Sequence, residues 1–209
     1  GFGALVSANS YSQATAVATW TLSGVSVSAD SGLTVTVAVR DDAGNQSTQN
    51  TGTIIGDTIA PYIDTINIYN VDADSFSSVG DSETVIVTAS VTDTNSNIIE
   101  NTDVTANLSD LGFGALVSAD SYSQTGALAT WTLVGTSVST NGTLTVTVGV
   151  RDDAGNTSTE NTGTIIGDNI APYVDTINIY NQTQDTFSSV ADGATVLVTA
   201  SVTDTNSNI

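Results

Sequence analysis

Apolar and polar residues alternate along much of this chain. Val85, Val87, Ala89 and Val91 occupy every second position, with threonine, isoleucine or serine between them. Residues 144–150 alternate in the same way, with apolar residues at the even positions and mostly threonine at the odd ones. Successive side chains of a β-strand point to opposite faces, so this period of two predicts strands with one buried face.

Shorter stretches of the same kind predict further strands, and no stretch has a convincing helical period. They lie at residues 66–68, 104–108, 131–133 and 158–166. Trp131 lies in one of them and is predicted to be a core residue. About seven strands in about 110 residues is typical of an immunoglobulin-like β-sandwich. We therefore predict an all-β fold made of such sandwiches.

The chain repeats itself with a period of 111 residues. The motif Arg-Asp-Asp-Ala-Gly-Asn at residues 40–45 recurs at 151–156, and the same shift carries Pro61 to Pro172. Proline fixes φ and favours an extended residue before it, so it suits a junction at the start of a strand. Boundaries placed there predict three segments. Residues 1–56 are the C-terminal half of one repeat, residues 57–167 are one complete repeat, and residues 168–209 are the N-terminal half of a third.

Composition excludes several classes of function. The chain has 22 acidic residues, two arginines and no lysine, histidine or cysteine, and its formal net charge is -20. Phosphate contacts need Lys and Arg, so nucleic-acid binding is excluded. No apolar run reaches the length of a membrane-spanning helix, so we expect no membrane insertion in this segment. Without cysteine there is no disulfide, and without His or Cys a zinc or copper site is not credible.

The repeated motifs resemble those of a known family. The pattern Thr-Val-x-Val-x-Val-Arg-Asp-Asp-Ala-Gly-Asn, followed by Gly-Asp-x-Ile-Ala-Pro, is similar to the tandem bacterial and archaeal Ig-like repeats of large surface proteins. The linker is also similar to the calcium-binding junction of cadherins, although the first Asp and Asn of that motif are missing. The resemblance covers the whole chain. It implies an adhesin stalk, a surface-layer protein or an extracellular fibre.

The acidic loops are the candidate metal-binding site. In an Ig-like sandwich the linker, the loop after the second strand and the turn before the last strand meet at one end. Carboxylates, amide oxygens and carbonyls are the ligands that Ca²⁺ prefers. We therefore predict Ca²⁺ at each joint, although an Asp before a turn also commonly caps its own backbone. The predicted ligands are Asp57, Asp93, Asn95, Asp152, Asp153 and Asn156, with Asp41, Asp42, Asp168 and Asp204 as their counterparts.

The remaining sequence features point to a structural role. Paired aspartates could serve a glycosidase, but the chain lacks the other usual catalytic residues, so we expect no enzyme. We predict a secreted prokaryotic protein at the cell surface, a fibre, stalk or surface-layer extender that contacts neighbouring repeats or copies of itself. Carbohydrate binding in adhesion, or a filament assembled by strand donation, remain alternatives. Weak candidate glycan acceptors are the Asn-x-Ser/Thr positions Asn45, Asn107, Asn141, Asn156 and Asn181.

Overall fold

The chain folds almost entirely as β-structure. A computed structural model describes residues 6–27, 29–95, 98 and 101–206. Within these residues the helical structure consists of two short 3₁₀ turns, at Asn101–Asp103 and Ser109–Leu111. The predicted all-β class is therefore confirmed.

Most strands lie in residues 57–167, which we call the central unit. Before it come β1 Ser10–Ser12, β2 Val17–Thr19, β3 Gly32–Val37 and β4 Asn50–Ile55. The central unit contains β5 Tyr62–Asn70, β6 Ser78–Val79, β7 Thr84–Thr92, β8 Val104–Asn107, β9 Val117–Ser118, β10 Ser121–Ser123, β11 Leu128–Val134, β12 Gly142–Val150 and β13 Asn161–Gly167. After it come β14 Tyr173–Asn181 and β15 Val196–Thr203.

The strands of the central unit form two sheets. One has the order β10-β11-β7-β5 and the other β6-β13-β12-β8-β9. All pairings are antiparallel except the short contact of β13 with β6, which is parallel. Buried residues of both sheets belong to one hydrophobic cluster. The two sheets therefore share a single core.

Alternation decides which side chains enter this core. In β7 the side chains of Val85, Val87, Ala89 and Val91 are all fully buried, as the period of two predicts. Trp131 is also fully buried, and its indole Nε1 donates a hydrogen bond to the carbonyl of Val117 at 3.0 Å. A buried Trp usually has a hydrogen-bond partner for its indole N–H, and the Val117 carbonyl fills that role here.

The last strand begins later than the sequence predicted. We expected it to start at residue 158, but β13 begins at Asn161. The intervening residues close the turn instead: Ser158 N donates to the Val150 carbonyl at 2.8 Å, and Val150 N donates to Ser158 Oγ at 2.9 Å. The two-residue strands β6 and β9 and the three-residue strand β10 were also not predicted, because such short segments show no measurable period.

Each strand of the flanking segments overlaps a strand of the central unit under the same 111-residue shift. For example, β5 and β14 cover equivalent residues, as do β1 and β10. Burial differs sharply, however. Val35 is 51% exposed whereas its counterpart Val146 is fully buried, and Val198 is 60% exposed whereas its counterpart Val87 is fully buried. Among the described residues, β3–β4 and β14–β15 each form a two-stranded sheet. Their inner faces therefore lack the second sheet that covers the central unit.

Candidate metal centre

Three aspartates from separate segments converge at one end of the central unit. Asp57, Asp93 and Asp152 each place one carboxylate oxygen so that these three atoms lie within 4.8 Å of one another. Asp57 is 7% exposed, Asp152 is fully buried, and Asp93 is partly buried. The Oδ2 atoms of Asp57 and Asp93 are enclosed by protein. Hence the carboxylates form a compact interior cluster, which we call the Asp triad.

Strand ends explain this convergence. Asp93 directly follows β7, and Asp152 follows β12 by one residue. Asp57 lies in the linker that leads into β5. Since β7 and β12 belong to the two different sheets, the Asp triad places the linker beside the ends of both layers.

A tight turn orients Asp152. Its Oδ1 accepts a hydrogen bond from Asn156 N, and its Oδ2 accepts one from Asn156 Nδ2, both at 2.8 Å. Gly155 N donates to the Asp152 carbonyl at 3.1 Å, and Gly155 has φ +95°. Glycine adopts this left-handed conformation without the strain that a Cβ would bring. The Asp-Asp-Ala-Gly-Asn motif therefore folds as a turn that holds one carboxylate rigidly.

The first-repeat copy of this turn has the same geometry. Asp41 accepts Asn45 N at 2.8 Å and Asn45 Nδ2 at 2.9 Å. The Asn45 side chain and then its backbone N–H stabilise the carboxylate and lower the pKa of Asp41 below its usual value. Asp41 is exposed here, whereas Asp152 is buried. The turn therefore forms without the rest of the Asp triad.

Asn156 also binds the linker. Its Nδ2 donates to the carbonyl of Ile59 at 3.3 Å and lies 3.4 Å from the carbonyl of Asp57. Asp57 Oδ1 in turn accepts Ile59 N at 2.8 Å. We predicted Asn156 as an assisting ligand through its side chain. The structure shows that its amide nitrogen fastens the linker to the turn.

The electrostatics of the Asp triad favour a cation. Two unit charges 4.8 Å apart repel by about 3.5 kcal/mol at an effective dielectric of about 20. The sequence offers two basic residues in total, and Arg151, which precedes Asp152, is exposed. Buried like charges of this kind are compensated by a bound cation or by protons. Burial raises the pKa of the neighbouring Tyr122, and the charge of Asp93 raises it further.

The other predicted ligands are not members of the Asp triad. Asp153 is exposed, because it follows Asp152 in the turn and faces outward. Asn95 is partly buried, and its backbone N donates to Asp93 Oδ1 at 3.2 Å.

The predicted counterparts in the flanking segments keep the local bonds. Asp168 repeats the bond of Asp57 and accepts Ile170 N at 2.8 Å, and Asp204 repeats the bond of Asp93 and accepts Asn206 N at 3.3 Å. Asp42 is exposed, like Asp41.

The candidate glycan acceptors differ in access. Asn107 is exposed, and its Oδ1 accepts both the backbone N of Ser109 at 3.1 Å and its hydroxyl at 2.7 Å. Asn141 is also exposed. The Nδ2 of Asn181 is bonded to the Ser189 carbonyl and that side chain is 3% exposed, while the Nδ2 atoms of Asn45 and Asn156 are bonded to aspartates. Glycosylation stays a prediction, and the geometry suits Asn107 and Asn141 best.

Comparison with known proteins leaves this geometry as the main guide to function. The sequence matches no protein-family model, and neither the curated proteins nor the solved structures gave a match. Within the described residues no helix is long and apolar enough to span a membrane.

Proposed function

We propose that this chain is part of a structural, extracellular repeat protein whose joints are stiffened by Ca²⁺. One observation carries the proposal: the Asp triad brings carboxylates from the incoming linker and from the ends of both sheets within 4.8 Å of one another. A cation bound there would cross-link three chain segments that are otherwise held by hydrogen bonds. The linker would then have a fixed direction relative to the unit that follows it.

The donor set fits Ca²⁺ best among common ions. Ca²⁺ takes six to eight oxygen ligands in a tolerant geometry, whereas Mg²⁺ needs a near-ideal octahedron and keeps its waters. Three carboxylates would supply part of such a shell, and backbone carbonyls and water would supply the remainder. Extracellular calcium modules have Kd values of about 10⁻⁴–10⁻³ M. A site of that affinity would be filled outside a cell and mostly empty inside one, which is consistent with a surface location.

We infer that the central unit is an immunoglobulin-like sandwich within a tandem array. Two sheets with one core and an interior Trp support this architecture. The 111-residue shift of both sequence and strands supports the array. Near-identical units favour a role in length and mechanics, because a recognition site is needed only once per chain.

Calcium titration tests the proposal directly. Isothermal titration of the whole chain with CaCl₂ is expected to show about one site, because the Asp triad at 57, 93 and 152 is complete whereas the second joint brings only Asp168 and Asp204 from this chain. Binding to the folded state alone should also raise the melting temperature. Absence of both binding heat and a melting shift at millimolar CaCl₂ would contradict the proposal. Equal affinity for Mg²⁺ would contradict the assignment to Ca²⁺.

A second candidate function is glycan binding, which exposed aromatic rings favour. Tyr180 and Phe187 pack with their ring centroids 4.9 Å apart, and Phe187 is 73% exposed. The counterparts Tyr69 and Phe76 pack at 4.7 Å. A groove of about 360 Å³ is lined by Asn178, Tyr180, Phe187, Leu197 and Thr199. Aromatic faces with flanking amide and hydroxyl groups suit a neutral sugar ring. A glycan array compared between the native chain and Phe187→Ala tests this; identical binding profiles would reject it.

The inner faces of β3–β4 and β14–β15 expose apolar side chains such as Val35 and Val198, and we expect another sheet to bury them. In the central unit the equivalent face of β5 and β7 packs against the second sheet. We propose that the opposite sheet of each flanking unit, built from strands equivalent to those of the central unit, buries these faces in a continuous array. Strand donation between copies is the alternative, but two half-units together lack the counterpart of β8, with the buried Val104 and Ala106. Mass spectrometry of the intact native protein decides, since a mass near 21.2 kDa would contradict a continuous array.

A further inference from the structure

The residue after Asp57 is held by the preceding repeat. Thr58 N donates to Asp30 Oδ1 at 2.6 Å, and Thr58 Oγ1 donates to the same oxygen at 2.8 Å. Asp30 lies in the first repeat, just before β3. It is not one of the three residues of the Asp triad. One carboxylate oxygen of the first repeat thus fixes both the backbone and the side chain of the linker.

The residues on either side of Thr58 are held by the following unit. The carbonyl of Ile59 accepts Asn156 Nδ2 at 3.3 Å, and Ile59 N donates to Asp57 Oδ1 at 2.8 Å. Thr58 is therefore held by the preceding repeat, while the carbonyls on both sides of it accept from Asn156 of the following unit. The Asp57 carboxylate, one member of the Asp triad, thus belongs to a linker that both units contact.

The second joint repeats the attachment with a different side chain. Asn169 N donates to Asn141 Oδ1 at 2.7 Å, where Asn169 and Asn141 are the counterparts of Thr58 and Asp30. The central unit adds two further bonds, because Asp168 N donates to the Val79 carbonyl and Asp81 N donates to Asn169 Oδ1, both at 2.9 Å. Asp at one joint and Asn at the other make the same bond. The shared requirement is an acceptor oxygen at this position and not a negative charge.

We propose that Asp30, and Asn141 at the next joint, are positioning residues that couple cation binding in one repeat to the end of the repeat before it. The proposal rests on the proposed function, because it concerns the affinity of the Asp triad for Ca²⁺. Ordering a backbone costs conformational entropy. A linker that the preceding repeat already holds in place binds the cation without that cost, so an intact Asp30–Thr58 contact lowers the Kd.

Two substitutions at Asp30 separate the acceptor oxygen from the charge. Asp30→Ala removes both, and it is expected to raise the Kd for Ca²⁺ by about 3- to 10-fold, because the two lost hydrogen bonds to Thr58 are solvent-exposed and each has a modest net contribution. Asp30→Asn keeps the acceptor that Asn141 supplies naturally, and its Kd should stay within about 2-fold of the native value by the same reasoning. An equal rise for both variants would show that the charge of Asp30 acts at long range and would overturn the proposal.

A second measurement needs no calcium. In EDTA, the amide hydrogen of Thr58 should exchange slowly in the native chain and in Asp30→Asn, and fast in Asp30→Ala. In a Trp20→Phe background, the melting transition reported by Trp131 serves as the folding control and should be the same in all three proteins. If calcium binding is absent but the exchange pattern is as expected, the attachment exists and only the proposed function fails. If Thr58 exchanges equally fast in all three proteins, the proposed attachment is wrong.

Discussion

Replacing one aspartate of the Asp triad by asparagine should change stability in opposite directions with and without Ca²⁺. The most informative change is Asp93→Asn. Its Oδ1 accepts the Asn95 N–H, and an asparagine keeps that acceptor. The substitution therefore removes a charge and an anionic ligand with little change of shape. Asp204→Asn is a matched control, since Asp204 is the counterpart of Asp93 at a joint where this chain supplies fewer carboxylates.

The expected magnitude follows from the spacing of the carboxylates. At 4.8 Å and an effective dielectric of about 20, each pair of charges repels by about 3.5 kcal/mol. Asp93 takes part in two such pairs, but it is only partly buried, so solvent screening reduces the effect. We expect the free energy of unfolding without Ca²⁺ to rise by about 1–3 kcal/mol, which for a unit of this size corresponds to about 4–12 °C in melting temperature.

Calcium should reverse the order of the two proteins. At a free concentration of about 1,000 times the Kd, or about 0.1 M for a Kd of about 10⁻⁴ M, the ion stabilises the native chain by about 4.1 kcal/mol, which exceeds the advantage of about 1–3 kcal/mol that the variant has in EDTA. The Asp93→Asn variant has lost one charged ligand, so bound Ca²⁺ should stabilise it much less than the native chain. The assay is thermal unfolding in EDTA and in excess CaCl₂, followed by tryptophan fluorescence. A Trp20→Phe background leaves Trp131, which is fully buried in the central unit, as the reporter.

Two outcomes would refute the reasoning. If Asp93→Asn melts below the native chain in EDTA, the three carboxylates do not repel one another in the folded state. If the native chain gains no stability from Ca²⁺, the cluster does not bind the ion. Asp204→Asn should shift both melting temperatures only slightly, and a shift as large as that of Asp93→Asn would show that the effect does not depend on the complete Asp triad.

Further predictions concern a tyrosine and a glycine pair. Because burial and then the charge of Asp93 raise the pKa of Tyr122, its contribution to stability is present below the usual tyrosine pKa and is lost as the pH rises through the raised value. Ultraviolet titration against Tyr122→Phe should show this pKa falling in Asp93→Asn yet staying elevated, and no change would contradict the cause. Gly163→Ala places a Cβ 2.7 Å from Ile66 Cγ2 and should destabilise the central unit by about 1–3 kcal/mol in urea unfolding. The counterpart Gly52→Ala meets nothing within 4 Å and should be neutral, so equal effects would refute the packing argument.

Sequence reasoning works well where a period of two is long and clear. It predicted the buried faces of β7 and β12 and the interior position of Trp131, because alternation decides which side of a strand faces the core. It failed where the deciding bonds involve side chains. The start of β13 depends on the Ser158 hydroxyl bonded to Val150 N, which no pattern of hydrophobicity encodes.

The candidate site shows the same limit. Sequence spacing and the expected fold brought Asp57, Asp93 and Asp152 together, and the structure places them in one cluster. Asp153 was predicted on equal terms but is exposed, because adjacent residues in the tight turn face different ways. The contact of Asp30 with Thr58 spans 28 residues and two repeats. The signal available in the sequence was the acceptor side chain shared by Asp30 and Asn141 under the 111-residue shift.

The short parallel contact between β6 and β13 determines how a unit would respond to pulling. A chain under tension is pulled at Tyr62, where β5 begins, and at Gly167, where β13 ends. Next to that exit, Ile166 N and Asp168 N donate to the carbonyls of Ser77 and Val79 at 3.1 and 2.9 Å. These bonds lie across the direction of the pull, so force loads them in shear and they must break together. A zipper geometry would let them open one at a time.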